Sequence, residues 1–202
     1  MIGLDIETDT TVDGLDPQIG AIVDVALVTA TSTMVFDDPD EANLLRAVDA
    51  ALAEIAAEDP GVLVTWNGSG FDLPFISTRA ELLGVATGLR LESESSPTRR
   101  PHHLSDRRER VRGTWHGHRH LDGYLMYRAD VGRALPVSCG LKPMARLVGL
   151  PIVEVDRAAI HLLSAEERRE YVASDAFLAR ELVLRRADAD RWIDQLPASS
   201  GS

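Results

Sequence analysis

Gly3-Leu4-Asp5-Ile6-Glu7-Thr8 is the stretch on which the reading of this chain turns. Ile2, Leu4 and Ile6 share one parity and Gly3, Asp5 and Glu7 the other, the period of a strand with one apolar and one polar face. Asp5 and Glu7 therefore project the same way, with their carboxylates close together. Two like charges at that spacing repel unless a proton or a cation lies between them. Hard carboxylate oxygens suit Mg²⁺ or Mn²⁺ better than zinc. Two readings are open at this point, a cation-binding pair or the solvated face of an edge strand.

The 202 residues, 45% hydrophobic and 26% charged, have the profile of one soluble globular domain able to bury its own core. No apolar run approaches the roughly 20 residues of a membrane span. The N-terminal residues lack the basic-then-apolar pattern of a secretion signal, so a cytoplasmic protein without a membrane partner is expected. A single cysteine, Cys139, excludes an internal disulfide framework. The net charge of −11 argues at first against a nucleic-acid partner. From Arg99 to His120, however, seven arginines face only Asp106 and Glu109, a local +5 that leaves −16 for the remainder. Lys142 is the only lysine, which reads as a coding bias beside abundant arginine.

Downstream of the opening strand, Ala21 to Ala30 and Thr33 to Phe36 read as two further strands. Leu44, Leu45, Val48, Leu52 and Ile55 recur at helical spacing within Glu41 to Glu58, and Asp59-Pro60-Gly61 stops that helix. Val62 to Trp66 has the continuous β-rich composition of a strand buried on both faces. A helix follows from about Asp72 to Leu83, and Leu89 to Leu91 suits a short strand. Glu92 to Arg112 is rich in Ser, Pro, Arg and His and reads as an exposed, mobile loop. Thr114 to Leu121 is expected as one strand, with helices over Asp122 to Ala129 and Leu141 to Val148. Ser164-Ala165-Glu166-Glu167 is a capping box that opens a long helix to about Ala187. Pro197 to Ser202 has the composition of a flexible tail. The order of elements implies an α/β domain with a mixed sheet flanked by helices.

Two later stretches carry chemistry. In Trp66-Asn67-Gly68-Ser69-Gly70-Phe71-Asp72, a buried strand turns into a helix, which puts Asp72 at a positive helix end beside the C-terminal edge of a strand. Asp72 is thereby either a ligand-binding carboxylate or a helix cap. No Gly-Lys-Ser/Thr follows, so the glycines do not form a P-loop. In Tyr171-Val172-Ala173-Ser174-Asp175, the tyrosine and the aspartate are four apart and share one helix face.

The three stretches together resemble the 3′–5′ exonucleases of the DEDD superfamily, in the tyrosine-containing (DEDDy) branch. Asp5 and Glu7 match the first motif, Asn67, Phe71 and Asp72 the second, and Tyr171 and Asp175 the third. The wording is most similar to the exonuclease domains of family B DNA polymerases and their stand-alone relatives, and His120-Leu121-Asp122 with Tyr124 is similar to a further pattern of that group. The resemblance implies a ribonuclease H-like layered fold, with residues 1–190 forming the exonuclease-like domain. It also implies a two-metal mechanism with Mg²⁺ or Mn²⁺ as cofactors, in which two divalent ions about 3.5–4 Å apart activate a water and stabilise the leaving oxygen. Asp5, Glu7, Asp72 and Asp175 would hold the metals, with Asp5 shared between them. Tyr171 would aim the attacking water. Thr8, Asn67 and Phe71 would contact substrate, and Asp122 would support the site or cap the following helix. The expected partners are single-stranded DNA or RNA 3′ ends and a polymerase or repair protein. A non-cutting binding module is the alternative from another class. The loop of residues 92–113 either clamps a nucleic-acid backbone or is a solvated surface. His116, His118 and His120 alternate as on one strand face, but no cysteine or matching His motif accompanies them to complete a transition-metal site.

Overall fold

The computed structural model describes residues 1–93, 110–155 and 162–196. Within them the strands β1 (Ile2–Thr8), β2 (Ile22–Val28), β3 (Thr33–Phe36), β4 (Val62–Thr65), β5 (Leu89–Ser93), β6 (Val111–Trp115) and β7 (His118–Asp122) form one sheet, in the order β3-β2-β1-β4-β7-β6-β5. The central strands β1, β4 and β7 are parallel, and the strands outside them pair antiparallel. The sheet is therefore mixed, as expected.

The parity of β1 sorts the two faces. Leu4 and Ile6 join a core with α1 (Glu41–Glu58) and α2 (Asp72–Leu82). The α1 helix starts where Asp40 accepts the backbone N–H groups of Ala42 and Asn43, and it buries Leu44, Leu45, Val48 and Leu52 completely. Each such leucine contributes about 1.5–3 kcal/mol relative to exposure. Gly3, Asp5 and Glu7 lie directly opposite Val28, Ala26 and Asp24 of β2, on the other face. That face is covered by α6 (Ala165–Leu184), opened by the Ser164–Glu167 capping box and buried through Val172, Ala176, Leu178 and Leu182. Its backbone comes so near β1 that a Cβ on Gly3 would stand 2.1 Å from the Ala176 carbonyl oxygen.

Three sequence expectations change. Thr114 to Leu121 is two strands, because His116 and Gly117 both take left-handed backbone angles (φ 47° and 83°) and turn the chain back on itself. The expected loop of residues 92–113 is an antiparallel ladder at both ends, with Ser93 opposite Val111 and Glu92 opposite Arg112. The remainder of that segment, residues 94–109, lies outside the described residues, as does the tail of residues 197–202. Beyond the predicted helices α3 (Gly123–Ala129) and α5 (Leu141–Leu147) there are two short ones, α4 (Val131–Ala134) and α7 (Ala189–Asp194). Trp192 and Ile193 of α7 pack on the core formed by β4, β7 and α6.

Gly3→Ala forces the Ala176 carbonyl to retreat and is expected to cost about 1–3 kcal/mol in urea denaturation. Gly61→Ala, whose added methyl would find only the His118 ring at 4.0 Å, is the control and should change stability by less than about 0.5 kcal/mol.

Candidate active site

The C-terminal ends of β1, β4 and β7 open onto one cleft of about 1120 Å³, lined by Asp5, Glu7, Thr8, Asn67, Phe71, Asp72, Tyr171 and Asp175. Residues separated by up to 170 positions in sequence thus meet at one sheet edge, where ligands collect in open α/β sheets. Asp5 and Glu7 are half-buried at the end of β1. Asp72 is buried in the first turn of α2, whose N-cap position is Phe71. Its carboxylate accepts the backbone N–H of Ile6, the residue between Asp5 and Glu7. That bond seats Asp72 against the β1 pair. Burial, and secondarily the negative charge of Asp122, push its pKa up to about 7.

Asp122 caps α3 and braces the turn between β4 and α2. One oxygen accepts the N–H of Tyr124, capping α3, and the N–H of Asn67 at 2.9 Å. The other accepts the N–H and the hydroxyl of Ser69. These bonds hold the turn between β4 and α2, in which Asn67 has a left-handed φ of 72°. The Thr8 hydroxyl donates to the Gly14 carbonyl at 2.7 Å, which leaves its oxygen to act only as an acceptor toward the cleft. Phe71 stacks at a tilt on Phe75, with centroids 5.4 Å apart.

From α6, Tyr171 and Asp175 enter the cleft one helical turn apart, and both are buried. The ammonium of Lys142, from α5, sits on the Asp175 carboxylate and 4.6 Å above the centre of the Tyr171 ring. Lys142 is the residue that sequence reasoning dismissed as a coding bias. Its position four residues before Arg146 on α5 carried no signal, since only the fold brings it to α6. The indole of Trp66 donates to the Cys139 carbonyl at 3.0 Å and so ties the start of the α5 segment to the second motif. Arg110, Arg128 and Tyr124 also line the cleft.

The three histidines have separate duties. His116 lies in the β6–β7 turn with Nε2 2.9 Å from Asp49. His118 is buried, accepts the Gly61 N–H at Nδ1 and reaches the Leu52 carbonyl with Nε2, and burial pushes its pKa down. His120 bonds the Thr65 hydroxyl at 2.7 Å. They form no common metal site.

A mixed sheet covered on both faces, with a carboxylate-lined cleft at the edge of its parallel strands, defines a ribonuclease H-like domain. The family model for the exonuclease domain of DNA polymerase family B matches residues 18–143. The chain belongs to that family, whose members are 3′–5′ exonuclease hydrolases dependent on divalent metal. The matched residues include Asn67, Phe71, Asp72, Asp122 and Lys142, while Asp5, Glu7, Tyr171 and Asp175 fall outside them. The chain is 40% identical over 52 residues to the catalytic subunit of DNA polymerase epsilon from Dictyostelium discoideum, which is 26% of this chain and 2% of that protein. It is 42% identical over 52 residues to a DNA polymerase of Thermococcus aggregans, covering 26% of this chain and 3% of that one. The family B DNA polymerase of Pyrobaculum calidifontis superposes with a TM-score of 0.69 at 20% identity, over 91% of this chain and 24% of that structure. The similarity is thus to a small part of much longer polymerases. No helix among the described residues is long and apolar enough to cross a membrane.

The donor chemistry fits a hard divalent cation: four carboxylates line the cleft, and burial pushes the pKa of one of them, Asp72, up to about 7. Among the described residues no three such groups yet converge tightly enough to hold an ion, and Lys142 stands on Asp175. A cation held by Asp175 would compete with that ammonium.

Because the folded pKa of Asp72 is raised, its ionisation penalises the fold progressively as pH climbs from the ordinary carboxylate range to about 7. Asp72→Asn in EDTA should match the wild type near pH 4. It should exceed the wild type by a few kcal/mol at pH 8, since each tenfold change in a proton-binding constant is about 1.4 kcal/mol. Urea denaturation across that range checks the sign.

Proposed function

We propose that this chain removes nucleotides from the 3′ end of single-stranded DNA by metal-dependent hydrolysis, releasing nucleoside 5′-monophosphates. The observation that carries the proposal is the convergence of Asp5, Glu7, Asp72, Tyr171 and Asp175, from three separate motifs, on one cleft of a family B exonuclease fold. Asp5, Glu7, Asp72 and Asp175 would hold two Mg²⁺ or Mn²⁺ ions. When bound, these lower the pKa of a water and neutralise charge on the phosphate. The chain's own groups do the rest. Tyr171, fixed by α6 beside Asp175, offers its hydroxyl to orient the attacking water. Lys142, once released from Asp175, supplies a cation next to that hydroxyl, where charge grows on the phosphate. Asp122 keeps the Asn67–Phe71 turn in place, so that Asn67 and Phe71 meet the terminal nucleotide along with Thr8.

The cleft walls support a single strand. Phe71, Trp66 and Tyr124 give aromatic faces on which bases stack, and Arg110 and Arg128 give cations for the backbone. These arginines stand beside four carboxylates, so an anionic strand would depend on the bound cations as well as on them. The DNA preference rests on the DNA polymerases to which the chain is similar. A polymerase or repair protein is the partner we propose, and the cytoplasm its location.

A 3′-labelled DNA strand should shorten in steps with Mn²⁺ and stay intact in EDTA, while the matched RNA is cut more slowly. Asp5→Ala and Asp175→Ala should each lower kcat by at least about 10³-fold with folding retained. Undiminished cleavage in both variants would sink the proposal. Lys142→Ala leaves Asp175 buried without its counter-charge, so the metal-free protein should lose about 3–5 kcal/mol. Calorimetry should show Mn²⁺ restoring more stability to this variant than to the wild type.

A further inference from the structure

Asp24 and Arg168 lie outside every motif that the sequence singles out. Asp24 is on β2, directly across from Glu7, and shares its face of the sheet. It is fully buried, and its Oδ2 accepts the Nε of Arg168 at 3.0 Å. Its other oxygen, Oδ1, has no hydrogen-bond partner among the described residues. Arg168 also donates to the Leu163 carbonyl, just before α6 begins. Buried pairs of this kind seldom add net stability, because desolvation offsets the attraction. Here burial outweighs the arginine and pushes the Asp24 pKa up. Stability therefore does not explain the pair.

Its position does. Arg168, Val172 and Ala176 follow one another at four-residue steps and form the ridge of α6 that rests on β1 and β2. Ala176 meets Gly3 at one end of this ridge, and Arg168 meets Asp24 at the other, about 12 Å away along the helix. Tyr171 and Asp175 form the adjacent row, between the two anchors, and face the cleft. Without the buried pair, this end of α6 would be held by the packing of Val172 and by the exposed Arg169–Asp37 pair, which fix its rotation less tightly. We infer that Asp24 and Arg168 are positioning residues for the hydrolysis, fixing the rotation of α6 so that the Tyr171 hydroxyl and the Asp175 carboxylate meet Asp5 and Glu7. This inference rests on the exonuclease reading of that cleft.

The test replaces both partners, Asp24→Leu with Arg168→Met, so that no lone charge stays buried. The double variant should be at least as stable as the wild type in urea, whereas Arg168→Met alone should be less stable. Its kcat on a 3′-labelled single strand should fall by about tenfold or more while KM stays within about twofold. A kcat within twofold of the wild type, or a kcat that simply tracks stability across the series, overturns the inference. If the double variant does not fold, Arg168→Lys, which keeps the charge but not the two-point bonding, carries the same comparison of kcat with KM. A wild-type chain that cuts no strand defeats the exonuclease reading instead. The pair is then judged by Mn²⁺ affinity, which should weaken in the double variant and which, if unchanged, overturns it.

Discussion

The site depends on how closely the backbone of α6 can approach β1. Tyr171 and Asp175 belong to a helix and Asp5 and Glu7 to a strand at least 164 positions away in the sequence. What brings them within one cleft is the absence of a side chain at Gly3, which lets the Ala176 carbonyl rest where any Cβ would collide. Packed interiors are nearly incompressible, so displacement at that contact passes along the helix to the residues beside it. Ala176 is the immediate neighbour of Asp175, and Gly3 is two residues from Asp5. This close backbone approach is thus next to the chemistry.

The same packing sets the electrostatics. Four carboxylates at one sheet edge are unfavourable in the metal-free chain, and the structure relieves this in different ways. Burial pushes the pKa of Asp72 up to about 7, and its carboxylate accepts the Ile6 N–H. Asp175 takes the ammonium of Lys142. Asp122, close enough to raise the pKa of Asp72, directs its own charge at four donors of the neighbouring turn and helix. Carboxylates arranged in this way suit the proposed binding of cations.

Legibility in the sequence followed the range of the interactions. The parity of β1, the leucine spacing of α1 and the Ser164 capping box depend on neighbours within a few residues, and all appear in the fold as read. The β6–β7 hairpin did not, because His116 is not a residue that announces a left-handed turn, and the alternation of His116, His118 and His120 imitates a single strand. The ladder flanking the Arg/His-rich segment was hidden by its polar composition. Among site residues, Lys142 and the Asp24–Arg168 pair were missed for one reason: their partners are 33 and 144 positions away.

By itself the sequence determined which side chains share a face of each element, since the periods of strand and helix are local properties of the backbone. It thereby supplied the carboxylates, the tyrosine and the class of fold. Only the tertiary structure decided which faces meet, because that choice depends on shape and burial summed over distant segments. The strand order, the depth of α6 on Gly3, the counter-charge on Asp175 and the scaffold role of Asp122 all belong to that second level. Asp5 and Glu7 were ambiguous as an isolated pair, and it is the helix laid across their strand that gives them a common cleft with Asp72 and Asp175.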